Sequence, residues 1–153
     1  MNIATDIREQ LQLPPLDQIG FVVKDLDSAI ALYDPMFGPF DVQRYGEITY
    51  NYRGREEACE LDIAFGKIGD IEIELIQWVS GGGPHKEFLD AGREGMHHLR
   101  FLVENLEEKV SEAEKLGYQK IWGKRFGKGL AVAYMEREND PLIVEFLENH
   151  RGV

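Results

Sequence analysis

Cys59 is the only cysteine in 153 residues. One thiol cannot close an internal disulfide, so the fold must rest on its core, and a cytoplasmic setting is expected. Long apolar runs are missing too. No stretch of about 18 apolar residues occurs, which excludes a membrane-spanning helix. The N-terminal residues carry Asp6, Arg8 and Glu9 among apolar positions and lack the basic start and cleavage site of a signal peptide. Basic charge is also short, with 17 Lys and Arg against 28 Asp and Glu, for a formal charge of −11. A chain this acidic repels phosphate backbones, so neither nucleic acid nor a membrane is expected as a partner. One stretch breaks the trend: Lys120, Lys124, Arg125 and Lys128 occur between Gln119 and Lys128 with no acid. It reads either as a solvated loop or as a local anchor for an anionic substrate handle. At 43% hydrophobic residues, the length suits one ordinary domain with a real core.

The chain contains itself twice. With Leu16 to Ile30 set above Met96 to Val110, a shift of 80 without gaps, Ile19, Phe21 and Val23 fall on Leu99, Phe101 and Val103. Leu26 and Ile30 fall on Leu106 and Val110, and Asp17-Gln18 falls on His97-His98. Each copy reads as an alternating strand, a short polar turn (Lys24-Asp25, Glu104-Asn105) and a helix opened by an acid, Asp27 or Glu107. Each helix stops near a glycine, Gly38 or Gly117. Further strands are expected at Asp41–Tyr45, Glu60–Lys67 and Ile71–Trp78, then at Gln119–Trp122, Leu130–Arg137 and Leu142–Leu147. Turns are expected at Gly69-Asp70 and at Glu138–Pro141. Ile73-Glu74-Leu75-Ile76 aligns with Val144-Glu145-Phe146-Leu147 at a shift of 71. The expected fold is α+β: two tandem βαβββ modules, 16–80 and 86–148, forming a curved mixed sheet around one metal site, with residues 1–15 as an N-terminal extension. Residues 80–85 are the Gly-rich joint, read as too turn-prone to continue a strand, with a short helix over Lys86–Leu89 after it.

Strand alternation places Gln18, Gly20 and Val22 on one face and Ile19, Phe21 and Val23 on the other. The second copy puts His98 on the face of Arg100 and turns His97 away from it. Glu74 and Glu145 sit between apolar neighbours, where a carboxylate is costly unless solvated, paired or bound to a cation. The repeat therefore sets Gln18 with His98, and Glu74 with Glu145, as four metal-capable groups. Two carboxylates, an imidazole and an amide oxygen suit one divalent ion in octahedral coordination, such as Mn, Co, Ni, Fe or Mg. They do not suit a closed structural zinc site. Glu72 shares a face with Glu74 and competes with it, and the repeat alignment decides for Glu74. His85, His97 and His150 receive no chemical role, and Cys59 reads as a small buried residue rather than a nucleophile.

The run Leu16-Asp17-Gln18-Ile19-Gly20-Phe21-Val22-Val23-Lys24-Asp25-Leu26 resembles the opening of vicinal-oxygen-chelate proteins, which usually carry His where Gln18 stands. Lys86 to Leu89, Gly95 to Phe101, Ile73 to Ile76 and Val144 to Phe146 resemble methylmalonyl-CoA epimerase and its glyoxalase-like neighbours. The resemblance runs from Leu16 to Glu148. It implies metal ligands from the first and last strands of both halves, matching Gln18, Glu74, His98 and Glu145, and it admits zinc among the metals. With one histidine in the set, a ring-cleaving ferrous dioxygenase is not expected.

The shared chemistry of that scaffold is chelation of neighbouring oxygens, which stabilises an enolate. The resemblance thus implies an isomerase or lyase acting at a carbon next to a carbonyl, epimerase-like or glyoxalase-like. Glu145 could move the proton in part, and a second base is expected within Glu56–Glu60, with Glu57 the best match. Any one of those glutamates could equally be a solvated charge in a turn. The substrate is expected to be a small molecule, either an acyl-CoA or another anionic compound, and the assembly a homodimer. A non-enzymatic binder of the antibiotic-sequestering kind competes, although it needs no metal ligands. A fosfomycin-resistance type of transferase is weakened by the missing first histidine.

Overall fold

The computed structural model describes residues 3–153. Eight strands close into one barrel in the order β1-β4-β3-β2-β6-β7-β8-β5. The first half comprises β1 (Gln18–Val23), α2 (Leu26–Phe37), β2 (Asp41–Tyr52), β3 (Arg55–Ile68) and β4 (Ile71–Gly81). The second comprises β5 (Gly95–Leu102), α4 (Leu106–Glu114), β6 (Tyr118–Arg125), β7 (Leu130–Arg137) and β8 (Asp140–Asn149). Between them lies α3 (Pro84–Asp90), and ahead of both lies α1 (Ile3–Leu11). Each half is βαβββ, as the repeat requires, and each contains one parallel pair, β1/β4 or β5/β8.

The two halves open by the same local chemistry. Asp25 accepts from the Ser28 amide and Asn105 from the Glu108 amide, both at 2.9 Å, so the residues read as turns are the helix caps. A second acceptor reaches each helix start from the last strand of the same half. Gln77 Oε1 takes the Leu26 amide at 2.7 Å, and Glu148 Oε1 takes the Leu106 amide at 2.9 Å. Arg125 clamps Glu148 at 2.8 Å, and this contact together with the Leu106 amide holds the carboxyl down at about 2.

Apolar side chains bury on both faces of the sheet. Outside the first half, α2 covers Ala64, Ile73 and Leu75. Outside the second, α4 covers Ala131, Ala133, Met135 and Phe146, with Leu11 of α1 in the same cluster. Each buried Ile, Leu, Met or Phe among them contributes about 1.5–3 kcal/mol over its exposed state. A third cluster fills the barrel interior, with Tyr52, Cys59, Leu61, Ile76, Trp122 and Tyr134. Cys59 is buried there, as expected, and burial pushes its thiol up to about 11.

Four expectations need correction. The second and third strands are far longer than the apolar pattern suggested: Glu56 to Glu60 is strand, paired with Glu47 to Asn51, and the turn is Arg53-Gly54 with φ of 49° and 85°. Cross-strand pairing of Tyr50 and Tyr52 overrode a charge-rich sequence that looked like a turn. The glycine joint does not end the strand at Ser80, since Gly81 pairs with Cys59. A Cβ on Gly81 would lie 2.1 Å from the Ala58 carbonyl oxygen, so the glycine allows close backbone approach rather than flexibility. The short helix is also longer than expected, since Pro84 can open it. The fourth correction, at His97, belongs to the site.

Candidate metal centre

The seam between β1 and β5 creates the site. The strands run antiparallel with Ile19 opposite Leu99, so the relation exchanging the halves places Gln18 opposite Arg100 and Gly20 opposite His98. The parallel partners continue the pattern: Glu74 lies beside Gly20, and Glu145 beside Arg100. His98 lays its ring over Gly20, where a Cβ would stand 2.1 Å from the imidazole. Gly20 is thus the residue that admits the imidazole, a role the alternation pattern alone did not reveal.

From that position His98 Nε2 faces three oxygens: Glu145 Oε1 at 3.0 Å, Gln18 Oε1 at 3.2 Å and Glu74 Oε1 at 3.3 Å. Ligand atoms of Glu74, His98 and Glu145 all lie within 4.8 Å of one another. Gln18 and His98 are sealed from solvent, while Glu74 and Glu145 keep 8% and 6% exposure. One Nε2–H cannot satisfy three acceptors, and two carboxylates this deep need a counter-charge. A divalent cation meets both needs, so the residues fit the metal the sequence suggested. The amide of Gln18 is oriented for the task, since its nitrogen donates to Glu72 Oε1 at 2.7 Å and its oxygen is left facing His98. Glu72 is therefore a support for Gln18 and a partner of Arg100 at 3.4 Å, while Glu74 lies among the donors. Arg100 also binds Asp17 through two nitrogens, at 3.1 and 2.8 Å.

Burial alone would hold His98 neutral, but its hydrogen bonds to Glu145 and Glu74 outweigh that and push its pKa up to about 9 in the metal-free chain. Around it stand aromatic residues that the sequence did not single out. Tyr134, cross-strand from Glu145, sets its ring 4.9 Å from that of His98 and its hydroxyl 3.0 Å from His85 Nε2. Tyr50 stacks on Trp122 at 4.0 Å, and Ile63, Ile76 and Ile143 extend the apolar wall. Burial, with Cys59, Glu74 and Glu145 nearby, raises the Tyr50 hydroxyl well above the usual phenol range. Burial, then the neighbouring His98, lowers His85 to about 3, so it is neutral.

His97 contradicts strict alternation. Gly20 pairs with His98 but Phe21 pairs with Met96, so His97 is the extra residue of a β-bulge. The bulge turns its ring inward, against His85, Phe88 and Tyr134, with Nδ1 3.0 Å from Nδ1 of His98.

Glu57 lies apart from the donor cluster. It pairs with Tyr50 across β2 and shares the face of Cys59 and Leu61, and Arg55 holds its Oε1 at 2.9 Å. The basic stretch is largely engaged in structure: Arg125 binds Glu107 at 2.6 Å and Glu148, and Lys124 donates to the Thr49 carbonyl at 2.9 Å. That leaves Lys120 and Lys128 as candidates for an anion anchor.

Residues 17–134 match the family model of the glyoxalase/bleomycin resistance protein/dioxygenase superfamily. The chain belongs to that superfamily. The resemblance to that superfamily is therefore borne out. A curated relative, the uncharacterized protein YqjC of Bacillus subtilis, is 25% identical over 136 residues, covering 87% of this chain and 91% of its own. Hypothetical protein BH1468 from Bacillus halodurans has a similar solved structure, with a TM-score of 0.63 and 27% identity, covering 89% of this chain and 94% of that one. Methylmalonyl-CoA epimerase from Mycobacterium tuberculosis shares the fold with a TM-score of 0.64 at 19% identity, covering 92% and 91% of the two chains. A methylmalonyl-CoA epimerase in complex with methylmalonyl-CoA and NH4+ is alike to the same TM-score at 17% identity, covering 91% and 96%. Among the described residues, no helix is long and apolar enough to cross a membrane.

Proposed function

We propose that this protein is a metal-dependent isomerase or lyase acting at a carbon next to a carbonyl, in the manner of an epimerase or glyoxalase. The observation that carries the reading is the convergence of Gln18, Glu74, His98 and Glu145 on one buried point of an otherwise apolar and aromatic interior. A divalent ion held there would polarise a carbonyl and stabilise the negative charge that develops on it. The chain's own residues supply the rest. Trp122, Tyr134, Ile76 and Ile143 exclude water and give the substrate an apolar wall. The exposed edges of Glu74 and Glu145 mark the side from which a ligand reaches the centre. Glu57 Oε2, the oxygen not engaged by Arg55, is our choice for the group that moves the proton, with Glu145 sharing that task. Fold likeness to methylmalonyl-CoA epimerases supports an acyl-CoA or a similar anionic small molecule as substrate.

The test is exchange of the α-hydrogen of acyl-CoA, 2-oxo and hemithioacetal compounds with deuterium from solvent, read by mass spectrometry. Exchange should require the metal, and Glu57→Gln should slow it by roughly 10²–10⁴-fold. Full-rate exchange by metal-stripped protein, or none across the three classes, would overturn the reading in favour of a non-enzymatic binder.

A further inference from the structure

His98 can serve as a metal ligand only in one hydrogen arrangement. A ring nitrogen that binds a cation carries no hydrogen, so a neutral His98 using Nε2 must hold its hydrogen on Nδ1. That Nδ1 lies inside the protein, and the partner within reach is Nδ1 of His97, at 3.0 Å. The two nitrogens are in hydrogen-bond contact with the ring planes 90° apart, and which one donates depends on the tautomers. Two Nδ1 atoms in contact cannot both carry hydrogen, so the state of one ring dictates the state of the other.

We propose that His97 is the positioning residue of this metal centre: it accepts the Nδ1 hydrogen of His98 and thereby holds the Nε2 lone pair of His98 toward Glu74, Glu145 and Gln18. The proposal rests on the metal-centre reading above and deepens it. Metal-bound histidines ordinarily lean on a carboxylate, a carbonyl or a water through their second nitrogen. Here a bulge residue takes that place. The bulge is what permits it, since without the extra residue in β5 the His97 ring would face away from His98.

The pairing has a visible consequence at the far side of His97. If Nδ1 of His97 accepts, its own hydrogen sits on Nε2, and Nε2 is buried without a hydrogen-bond partner among the described residues. The ring that carries it is packed among other rings, with Phe88 at 4.9 Å, His85 at 5.4 Å and Tyr134 at 5.7 Å between centroids. An unpartnered N–H buried among aromatic rings is tolerated better than a bare lone pair there, because ring faces attract positive hydrogen. The surroundings of His97 therefore favour the same tautomer that the metal requires of His98.

Two measurements test this on the intact chain. In ¹⁵N-labelled protein loaded with Zn²⁺, long-range ¹⁵N–¹H correlation should show His98 protonated on Nδ1 with Nε2 metal-bound, and His97 protonated on Nε2. A hydrogen on Nδ1 of His97 would overturn the proposal. Separately, Co²⁺ affinity is measured by visible absorption for the wild type, His97→Phe and His97→Asn, each checked for folding by thermal melting. Asn places an acceptor oxygen near the position of Nδ1, whereas Phe keeps the ring volume and removes the acceptor. The Phe variant should lose roughly 10–100-fold in affinity, and Asn should restore most of it. Wild-type affinity in the Phe variant would overturn the role of His97 while leaving the metal centre standing. Failure of the wild type itself to bind Co²⁺ would remove the centre, and this proposal with it.

Discussion

Stripping the metal should make His98 a switch in the protein's stability against pH. The unfolded chain titrates this imidazole near 6.5, whereas burial opposed by the stronger pull of Glu145 and Glu74 sets it at about 9 in the metal-free fold. Because the folded value is the higher, the protonated His98 with its two carboxylates stabilises the fold fully below about pH 6.5. That stabilisation is lost as the pH rises through about 9. The gap corresponds to roughly 3 kcal/mol, which for a domain this size is about 5–10 °C of melting temperature. Metal-free protein should therefore melt lower at pH 9 than at pH 6.5, and His98→Gln, which cannot titrate, should lack that slope. A bound cation takes the proton's place, so binding should release one proton and the apparent affinity should rise about tenfold per pH unit between pH 6 and 8. Scanning calorimetry in chelator across this range reads the first effect. Titration of Co²⁺ in buffers of different ionisation heat reads the second. A metal-free melting temperature that stays flat or rises towards pH 9, or binding without proton release, would refute the reasoning.

Other perturbations bear on the architecture around that group. Gly20→Ala sets a methyl 2.1 Å from the His98 ring, so it should lower stability by about 1–3 kcal/mol and reduce Co²⁺ affinity at least tenfold, read by melting and visible absorption. Glu148→Gln keeps an acceptor for Leu106 but loses the charge that Arg125 holds, costing about 1.5–3 kcal/mol near neutral pH by urea unfolding. The Glu148 carboxyl is held down at about 2 from an ordinary 4.5, so its contribution is present above pH 4.5 and lost as the pH falls through 2, and the variant should show a shallower acid limb. Gln18→His should leave Zn²⁺ and Ni²⁺ affinity unimproved while Arg100 stands opposite, and the double variant with Arg100→Gly should raise both in competitive titration.

Legibility divided along the line between local and long-range pairing. The duplication showed through because both halves repeat the same apolar face, cap and closing glutamate within a few residues. Those signals also point to Gln18, Glu74, His98 and Glu145 together, because the halves join at the β1–β5 seam, where their equivalent first strands pair. His97 could not be placed in the same way. Its orientation depends on one extra residue in β5 relative to β1, and alternation counted along β5 alone carries no trace of the bulge. The long β2–β3 hairpin was hidden because Glu56, Glu57 and Glu60 read as solvent-facing charge, while the pairing partners that make them strand lie in Glu47 to Asn51. Tyr134 and Trp122 stand in expected strands and Tyr50 in none, and only barrel closure brings all three beside the donors.

The asymmetry of the duplicated candidate site follows from what faces each metal-capable residue of the first strands. His98 looks across the seam at Gly20, and Gln18 looks across it at Arg100. The imidazole of His98 needs the space that a missing side chain leaves, because even a methyl on Gly20 would collide with the ring. On the opposite side Arg100 occupies the equivalent position, tied to Asp17 and Glu72, and Glu72 in turn holds the nitrogen of Gln18. By the same relation an imidazole at position 18 would meet the Cβ of Arg100, whereas the amide fits there and is oriented by Glu72. Gln18 is thus matched to Arg100 as His98 is matched to Gly20. The exchange of one imidazole for one amide in the donor set is a consequence of four residues, Gln18, Gly20, His98 and Arg100, rather than of one.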